Sequence, residues 1–211
     1  MSSKLMDMHR LRALFELSLI DAPEETIYNK LTVLASEVVG APVSLVSMVS
    51  DSYQFFKSQV GLPEPWKSKR RTPLSHSFCQ HVVTDNKPLI VSDAREHDVV
   101  KRNLAIRDLG VIGYLGIPLT LEDGKSLGSF CVIDTDIREW SETEIDIMTE
   151  LAEVIIKEFD MRAYVLQKRN TKEELGALQA RIIEFADSIT KGQGKSAILA
   201  EIRHKRSEYQ L

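Results

Sequence analysis

The chain has 211 residues, of which 43% are hydrophobic and 27% are charged, which is enough to bury the core of one domain. Its formal net charge of −4 excludes an overall positive field, so we expect no binding to nucleic acid or to anionic membranes. Only Cys79 and Cys131 are present, which favours free thiols in a reducing compartment over a disulfide scaffold. Charges interrupt the first 17 residues, and no uncharged apolar run is long enough to cross a bilayer. We therefore expect a cytoplasmic protein.

The first 60 residues predict two helices followed by a β-hairpin. Apolar residues recur at helical spacing in both helices, and Gly40 followed by Pro42 ends the second one. The next segments are rich in β-branched and aromatic residues and flank an Asp51-Ser52 turn. The predicted helices lie around 11–19 and over 24–39, and the predicted strands cover 43–49 and 53–60.

The middle of the chain predicts a loop, a short helix and three more strands. The loop of residues 61–73 contains three prolines and a basic group, which we interpret as solvated. A helix over 75–84, a strand over 88–92 and a polar, partly helical crossover over 93–110 follow. The last two strands, over 112–121 and 126–134, flank Asp123-Gly124, a strong hairpin signal. We therefore predict an α+β fold with a mainly antiparallel sheet of five to six strands.

A long helix is predicted to follow the sheet. Ser141 and Glu144 form a capping box before an apolar run. Apolar residues then continue at heptad spacing, which is typical of a coiled coil. An unbroken helix from 141 to 190 would span about 75 Å, which is more than the diameter of a small domain. We therefore expect the far half to leave the domain as a coiled-coil dimer stem, with a kink or break at the polar stretch 167–172 and Gly176. The seam residues are Leu175, Leu178, Ile182, Phe185 and Ile189.

The order of these elements, together with several short phrases, resembles a GAF domain of the bacterial group found ahead of histidine kinases and diguanylate cyclases. The resemblance covers about 11–159 and depends on phrases at 41–47, 55–58, 60–62, 77–81, 88–94, 114–118 and 127–134. It implies a GAF-like sensor domain over 1–160, including the amino-terminal helices, a stem over 161–190 and a short tail over 191–211.

The resemblance implies a small-molecule-sensing signalling domain, because GAF domains bind cyclic nucleotides, bilins, haem or other small ligands. We expect a homodimer that relays ligand state to an effector through the stem. A ligand-free module for dimerisation or partner binding is the alternative, since a fold alone does not choose between these functions. The Asn-Lys-x-Phe-Asp pattern of cyclic-nucleotide GAF domains is missing from this sequence.

Cys79 lies between His76 and His81, and these three side chains are the group in the sequence that most suggests metal binding or covalent chemistry. On a helix His81 turns away from the other two, so we expect no metal site. Bilin-binding GAF domains usually carry histidine directly after the cysteine, whereas Gln80 follows Cys79 here. Haem would need an axial histidine, and the sequence does not single one out. We favour the interpretation that Cys79 packs as a small apolar side chain.

Catalysis has one candidate in this sequence, a cysteine-dependent methionine sulfoxide reductase, because such enzymes occur among GAF domains. They need two cysteines within reach of each other, and Cys131 lies inside a predicted strand, which is a poor position for that chemistry. The sequence contains no other catalytic constellation. We therefore expect a protein that is not an enzyme, with an unknown cofactor if it has one, and we keep a redox sensor as a further alternative.

The polar crossover over 93–107 lies where a GAF ligand pocket is usually covered, and its arginines could pair with an anionic ligand. The alternative is a solvated surface helix. The candidate pocket residues are Phe55, Cys79, His81, Asp93, Arg95, Arg102, Tyr114 and Cys131.

Overall fold

The computed structural model describes residues 4–168, 172–189 and 194–209. Its centre is a six-stranded sheet in the order β3-β2-β1-β6-β5-β4, in which all neighbouring strands are antiparallel. The strands are β1 (Val43–Val49), β2 (Tyr53–Val60), β3 (Arg71–Pro73), β4 (Leu89–Val91), β5 (Gly113–Thr120) and β6 (Ser126–Asp134). The predicted α+β fold and antiparallel sheet are confirmed, and β3 is an edge strand within the segment predicted as a loop.

Eight helices lie in the described part of the chain. They are α1 (Met8–Glu16), α2 (Thr26–Val39), α3 (Trp66–Lys69), α4 (Cys79–Asp85), α5 (Ala105–Leu109), α6 (Glu142–Lys168), α7 (Lys172–Ser188) and α8 (Lys195–Tyr209). Gly40 ends α2 in the left-handed conformation at φ 74°, as its position after the helical stripe predicts. A 3₁₀ turn over Leu74–His76 precedes α4, so that helix begins later than the sequence suggests.

The sheet separates two apolar cores because side chains alternate between its faces. One core contains α2, α6, α7 and α8, and β6 contributes Phe130 and Val132 to it. The other core lies under α4 and α5, and the same strand contributes Cys131 and Ile133 to it. The first face is therefore a helical layer, and the second is covered by the segment between β3 and β5.

The long helix α6 begins at the predicted capping box. The Ser141 hydroxyl accepts from the Glu144 backbone N–H at 3.3 Å, and the Glu144 carboxylate accepts from the Ser141 backbone N–H at 2.8 Å. Arg138 also donates to Glu144 at 2.6 Å and to the Val39 carbonyl at 2.6 Å. The start of α6 is thereby tied to the end of α2.

The predicted coiled-coil stem requires a correction. Helix α6 ends at Lys168, and α7 packs against α2 and α6 of the same chain instead of extending away. Leu178, Ile182, Phe185 and Ile189 are buried in the helical core, while Leu175 is half-buried. An amphipathic seam can bury itself on any apolar partner, and here the domain's own helices supply that partner. Residues 169–171, part of the predicted break, lie outside the described residues; Gly176 lies inside α7.

The tail returns to the domain as α8. Ile198, Leu199 and Ile202 are buried against the same core as α7. Arg203 and Arg206 on α8 pair with Glu150 on α6. The basic group near the end of the chain therefore stabilises the docking of α8 on an acidic face of α6.

A buried ion network joins β2, α2 and α6. The Lys57 amine is fully buried and donates to the Glu25 carboxylate at 2.6 Å and to the Ser18 and Pro23 carbonyls at 3.0 Å each. Arg162 on α6 pairs with the same Glu25 carboxylate and donates to Glu158 at 2.5 Å. The charged amine has three N–H donors, and each of them finds an acceptor, so hydrogen bonds compensate the cost of burying its charge.

None of the described helices combines the length and the apolar character that crossing a membrane demands.

The packing of α7 predicts a large effect of Ile182→Ala. Ile182 is fully buried, so removing three carbons should lower the free energy of unfolding by about 2–5 kcal/mol. Ile183→Ala is the matched control, because Ile183 is only half-buried and should cost clearly less. Urea unfolding at two protein concentrations checks this prediction. A loss that depends on protein concentration would contradict packing within one chain and would support an intermolecular stem.

Candidate functional site: a closed chamber beside two thiols

The second core contains a small chamber between the sheet and the segment that covers it. Its cavity volume is about 20 Å³, which is room for one water-sized molecule. The covering segment is held by hydrogen bonds from Asn103 Nδ2 to the Ser77 carbonyl at 3.1 Å and from the Leu104 N–H to the Ser75 carbonyl at 3.0 Å. The chamber is lined by Leu45, Gln54, Phe56, His76, Phe78, Cys79, Ala105, Leu109, Val111, Tyr114 and Ile133.

Both cysteines of the chain meet beside this chamber. Cys79, the first residue of α4, and Cys131, in the middle of β6, have sulfur atoms 3.9 Å apart. Both are free thiols and are buried. The sequence-based argument that a strand position keeps Cys131 out of reach of Cys79 is therefore wrong, because β6 directs Cys131 towards α4.

Hydroxyl groups surround the thiol pair. The Tyr114 hydroxyl lies 3.2 Å from the Cys79 sulfur and 3.3 Å from the Ser129 hydroxyl. Ser47, on β1, is fully buried on the same face of the sheet, and its hydroxyl has no partner within normal hydrogen-bond geometry. Five polar side chains thus form one buried cluster in an otherwise apolar core.

Gly116 makes room for the Tyr114 side chain. Residues 114 and 116 of β5 share one face, and a Cβ at position 116 would overlap the Tyr114 ring and hydroxyl. The absence of a side chain at this position lets the ring lie along the strand with its hydroxyl towards Cys79. The glycine therefore positions the polar cluster.

The cluster makes the two thiols electrostatically unequal. Burial raises the pKa of Cys79, but the hydrogen bonds that its sulfur makes with Cys131 and Tyr114 are the largest of the effects that outweigh burial and lower the pKa to about 7. Burial and the neighbouring Cys79 raise the pKa of Cys131 well above its ordinary value. Cys79 is therefore the thiol of the pair that ionises first.

The structure brings together three of the predicted pocket residues, Cys79, Tyr114 and Cys131. Phe55 requires a correction, because its side chain lies in the helical core on the opposite face, under the Arg70 guanidinium. The neighbouring residue Phe56 lines the chamber in its place.

His81 also lies outside the chamber. It lines a separate, open surface cleft of about 380 Å³ together with Lys4, Asp85 and Lys87. Burial lowers its pKa. His81 is thus placed next to charged surface residues and away from the thiol pair.

The charged residues predicted to cover the pocket point away from it. Asp93 and Arg95 pair with each other at 2.6 Å, and the Arg95 side chain is half exposed. Arg102 is exposed. These side chains do not line the chamber. Their placement agrees with the alternative interpretation, in which the crossover is a solvated surface segment.

The sequence analysis missed Phe56, Phe78, Ser47 and Ser129. For the two serines a signal was present, because each is a polar residue among apolar neighbours on a strand. Their alternation with Leu45 and Cys131 places them on one face. Phe78 packs on Tyr114 with ring centroids 5.3 Å apart. This contact depends on the fold, so the local sequence could not predict it.

No cluster of three or more histidine, cysteine, aspartate or glutamate side chains suited to a metal ion occurs among the described residues. His76, the histidine that lines the chamber, pairs with Asp108 at 3.0 Å. The polar groups that line the chamber come from Gln54, His76, Cys79 and Tyr114.

The family model for the GAF domain matches residues 23–158, which include every strand of the sheet and α4. The chain belongs to the GAF domain family. Its fold agrees with that of a GAF domain from a phosphoenolpyruvate-protein phosphotransferase of Coxiella burnetii, with a TM-score of 0.56 and 21% identity, covering 77% of this chain and 97% of that one.

Two curated relatives are bacterial signalling enzymes. A cyclic di-GMP phosphodiesterase of Pseudomonas aeruginosa is 26% identical over 79% of this chain and 27% of its own length. A diguanylate cyclase of Escherichia coli is 29% identical over 47% of this chain and 28% of its own length. The chain therefore aligns with about a quarter of the length of each of these relatives.

The hydrogen bond from Tyr114 predicts a test of the Cys79 environment. Tyr114→Phe removes one donor to the thiolate, so the pKa of Cys79 should rise by about one unit, and less thiolate should be present at pH 7.5. Thiolate absorbance at 240 nm, measured against pH and corrected with Cys79→Ala, checks this. Tyr53→Phe is the control, because Tyr53 packs on the helical core. An identical titration in wild type and Tyr114→Phe would contradict the assignment.

Proposed function

We propose that this GAF domain is the sensory module of a signalling protein and that the state of the chamber sets the position of α6. The observation that carries the proposal is the buried polar cluster around Cys79 and Tyr114, next to the chamber and the segment that covers it. Burying a hydroxyl costs free energy unless it is hydrogen-bonded, and the Ser47 hydroxyl of this cluster has no partner within normal hydrogen-bond geometry. A chamber of this kind is suited to a small ligand with a hydrogen-bonding group.

Binding in the chamber requires movement of its cover. A volume of about 20 Å³ accommodates one water molecule, so a larger ligand must displace the segment that carries α4 and α5. A ligand that prefers the displaced state shifts the population towards it. The same movement that admits the ligand is therefore the signal.

The route from the chamber to the helical layer runs through β2. Phe56 lines the chamber, and the next residue, Lys57, projects towards the other face and bonds to Glu25. Glu25 in turn pairs with Arg162 on α6. A shift of β2 at Phe56 would therefore be transmitted to α6 through the ion pairs of Lys57 and Arg162 with Glu25.

The output proposed here is control of cyclic di-GMP synthesis or breakdown. The support is that both curated relatives described above are enzymes of cyclic di-GMP. A sensory role also agrees with the family, since the GAF match covers the part of the chain that contains the chamber.

The homodimer stays a prediction. The seam of α7 is buried on α2 and α6, so a dimer through this seam would require α7 of one chain to occupy the same groove on the other. We propose such an exchange as the form that a stem dimer would take.

The relay can be tested without knowing the ligand. Ala105 is buried and lines the chamber, so Ala105→Phe forces the cover outward as an occupant would. Hydrogen exchange followed by mass spectrometry should then show faster exchange in α4 and α5 and also in α6 around Arg162. With Lys57→Met as the background, the response of α4 and α5 should persist and that of α6 should disappear.

Ala177→Phe is the matched control, because Ala177 is exposed on α7. The smaller Ala105→Val change provides the same comparison with less strain. A response confined to α4 and α5 in the wild-type background would contradict the relay.

A further inference from the structure

The thiol pair has chemistry that ligand binding does not use. Cys79 and Cys131 are 52 residues apart in sequence, yet the fold holds their sulfur atoms 3.9 Å apart. A disulfide has a sulfur separation of about 2.05 Å, so closing one needs an approach of about 2 Å. In a core that contains only two thiols, this proximity is set by the pairing of β6 within the sheet and by the packing of α4 on it.

We propose that Cys79 and Cys131 form a reversible intramolecular disulfide when the protein meets hydrogen peroxide. The assignment depends on three observations: the short sulfur separation, the cavity beside one sulfur, and the hydroxyls around it. It goes beyond the ligand-controlled relay and does not depend on it.

The geometry distinguishes the roles of the two thiols. Cys79 lines the cavity, whereas Cys131 is absent from the cavity lining and lies behind it. The cavity is of the size of one water molecule, which is close to that of hydrogen peroxide. Cys79 is therefore the thiol that meets the oxidant, and Cys131 is the resolving thiol.

In the first step the Cys79 thiolate attacks one peroxide oxygen. The sulfur–oxygen bond forms, the oxygen–oxygen bond breaks, and the departing hydroxide takes up a proton to become water. Cys79 becomes a sulfenic acid, oxidised by two electrons, while the peroxide is reduced. The Tyr114 hydroxyl, 3.2 Å from the sulfur, is placed to donate a hydrogen bond to the departing oxygen.

In the second step Cys131 attacks the sulfur of the sulfenic acid. The sulfur–sulfur bond forms, the sulfur–oxygen bond breaks, and the hydroxyl leaves as water with the Cys131 proton. Together the two steps convert two thiols and one hydrogen peroxide into one disulfide and two waters. A dithiol reductant then restores both thiols by thiol–disulfide exchange and itself becomes a disulfide.

Closure of the disulfide moves α4 rather than the sheet. Strand β6 is hydrogen-bonded to β1 on one side and to β5 on the other, so Cys131 is held by two neighbours. Helix α4 has seven residues and packs on the sheet through side chains. The approach of the sulfurs therefore draws the first turn of α4 towards the sheet and alters the chamber.

Peroxide treatment of the intact chain, followed by denaturing alkylation, tests the site. The wild type should lose both titratable thiols and two hydrogen atoms of mass, and dithiothreitol should restore them. Peptide mass spectrometry of the same sample should contain a Cys79–Cys131 cross-link. This part uses no variant, so it does not depend on how a substitution affects folding.

Two variants separate the roles of the thiols. Cys131→Ala should stop at the sulfenic acid, which dimedone traps on Cys79. Cys79→Ala should leave Cys131 reduced or oxidise it at least about tenfold more slowly. Free methionine sulfoxide, offered as the oxidant in place of peroxide, should oxidise the thiols more slowly, because it is larger than the cavity and must first displace the covering segment.

Two results with the wild type would overturn the inference: thiols that survive peroxide under conditions that oxidise glutathione, or a disulfide that joins two chains. Equal rates of oxidation of the remaining cysteine in Cys79→Ala and Cys131→Ala would also overturn it. Faster oxidation by methionine sulfoxide than by peroxide would overturn the choice of oxidant. None of these outcomes affects the exchange experiment on Ala105→Phe, so the two proposals fail separately.

Discussion

The half-buried carboxylate of Glu25 makes the interactions on which the connection between the two layers depends. It is bound by Lys57 from the sheet and by Arg162 from α6, and it lies at the start of α2. Burial lowers the pKa of Lys57 and would favour a neutral amine, and the carboxylate opposes that effect. Glu158, fully buried on α6, is stabilised by Tyr28, Arg162 and Gln179, the last of which lies on α7. The Lys57 amine is fully buried, so removing Glu25 would leave it without its counter-charge, and this network holds the helical layer on the sheet.

Strand alternation explains why the fold and part of the site could be predicted from the sequence. Five of the six strands and the capping box at Ser141 follow from local patterns, and the structure confirms them, whereas β3 lies in a segment predicted as a loop. Cys131 and Tyr114 are near the chamber because their strand positions face α4, which period-two alternation can indicate once a neighbour is known. Phe55 was misplaced because Phe55 and Phe56 are adjacent and face opposite sides of β2, and local sequence does not say which of the two faces the chamber.

Partners distant in sequence account for the features that could not be predicted. The apolar spacing of α7 is the same whether it packs on a second chain or on α2 and α6, so the stem was an equally good local interpretation. The meeting of Cys79 and Cys131 depends on how a short helix crosses the sheet, and no local pattern encodes that crossing. The charges over 93–107 satisfy one another on the surface, as Asp93 and Arg95 do. Local sequence thus specified the elements, while the long-range packing specified the chamber.

The central claim is that one buried network couples the sheet to α6, and a double-mutant cycle between Lys57→Met and Arg162→Met tests it most directly. Both cations bind the same carboxylate, so their effects on the free energy of unfolding should be coupled by about 0.5–3 kcal/mol. Effects that add to within about 0.3 kcal/mol would show that Lys57 and Arg162 act independently, and would contradict the account.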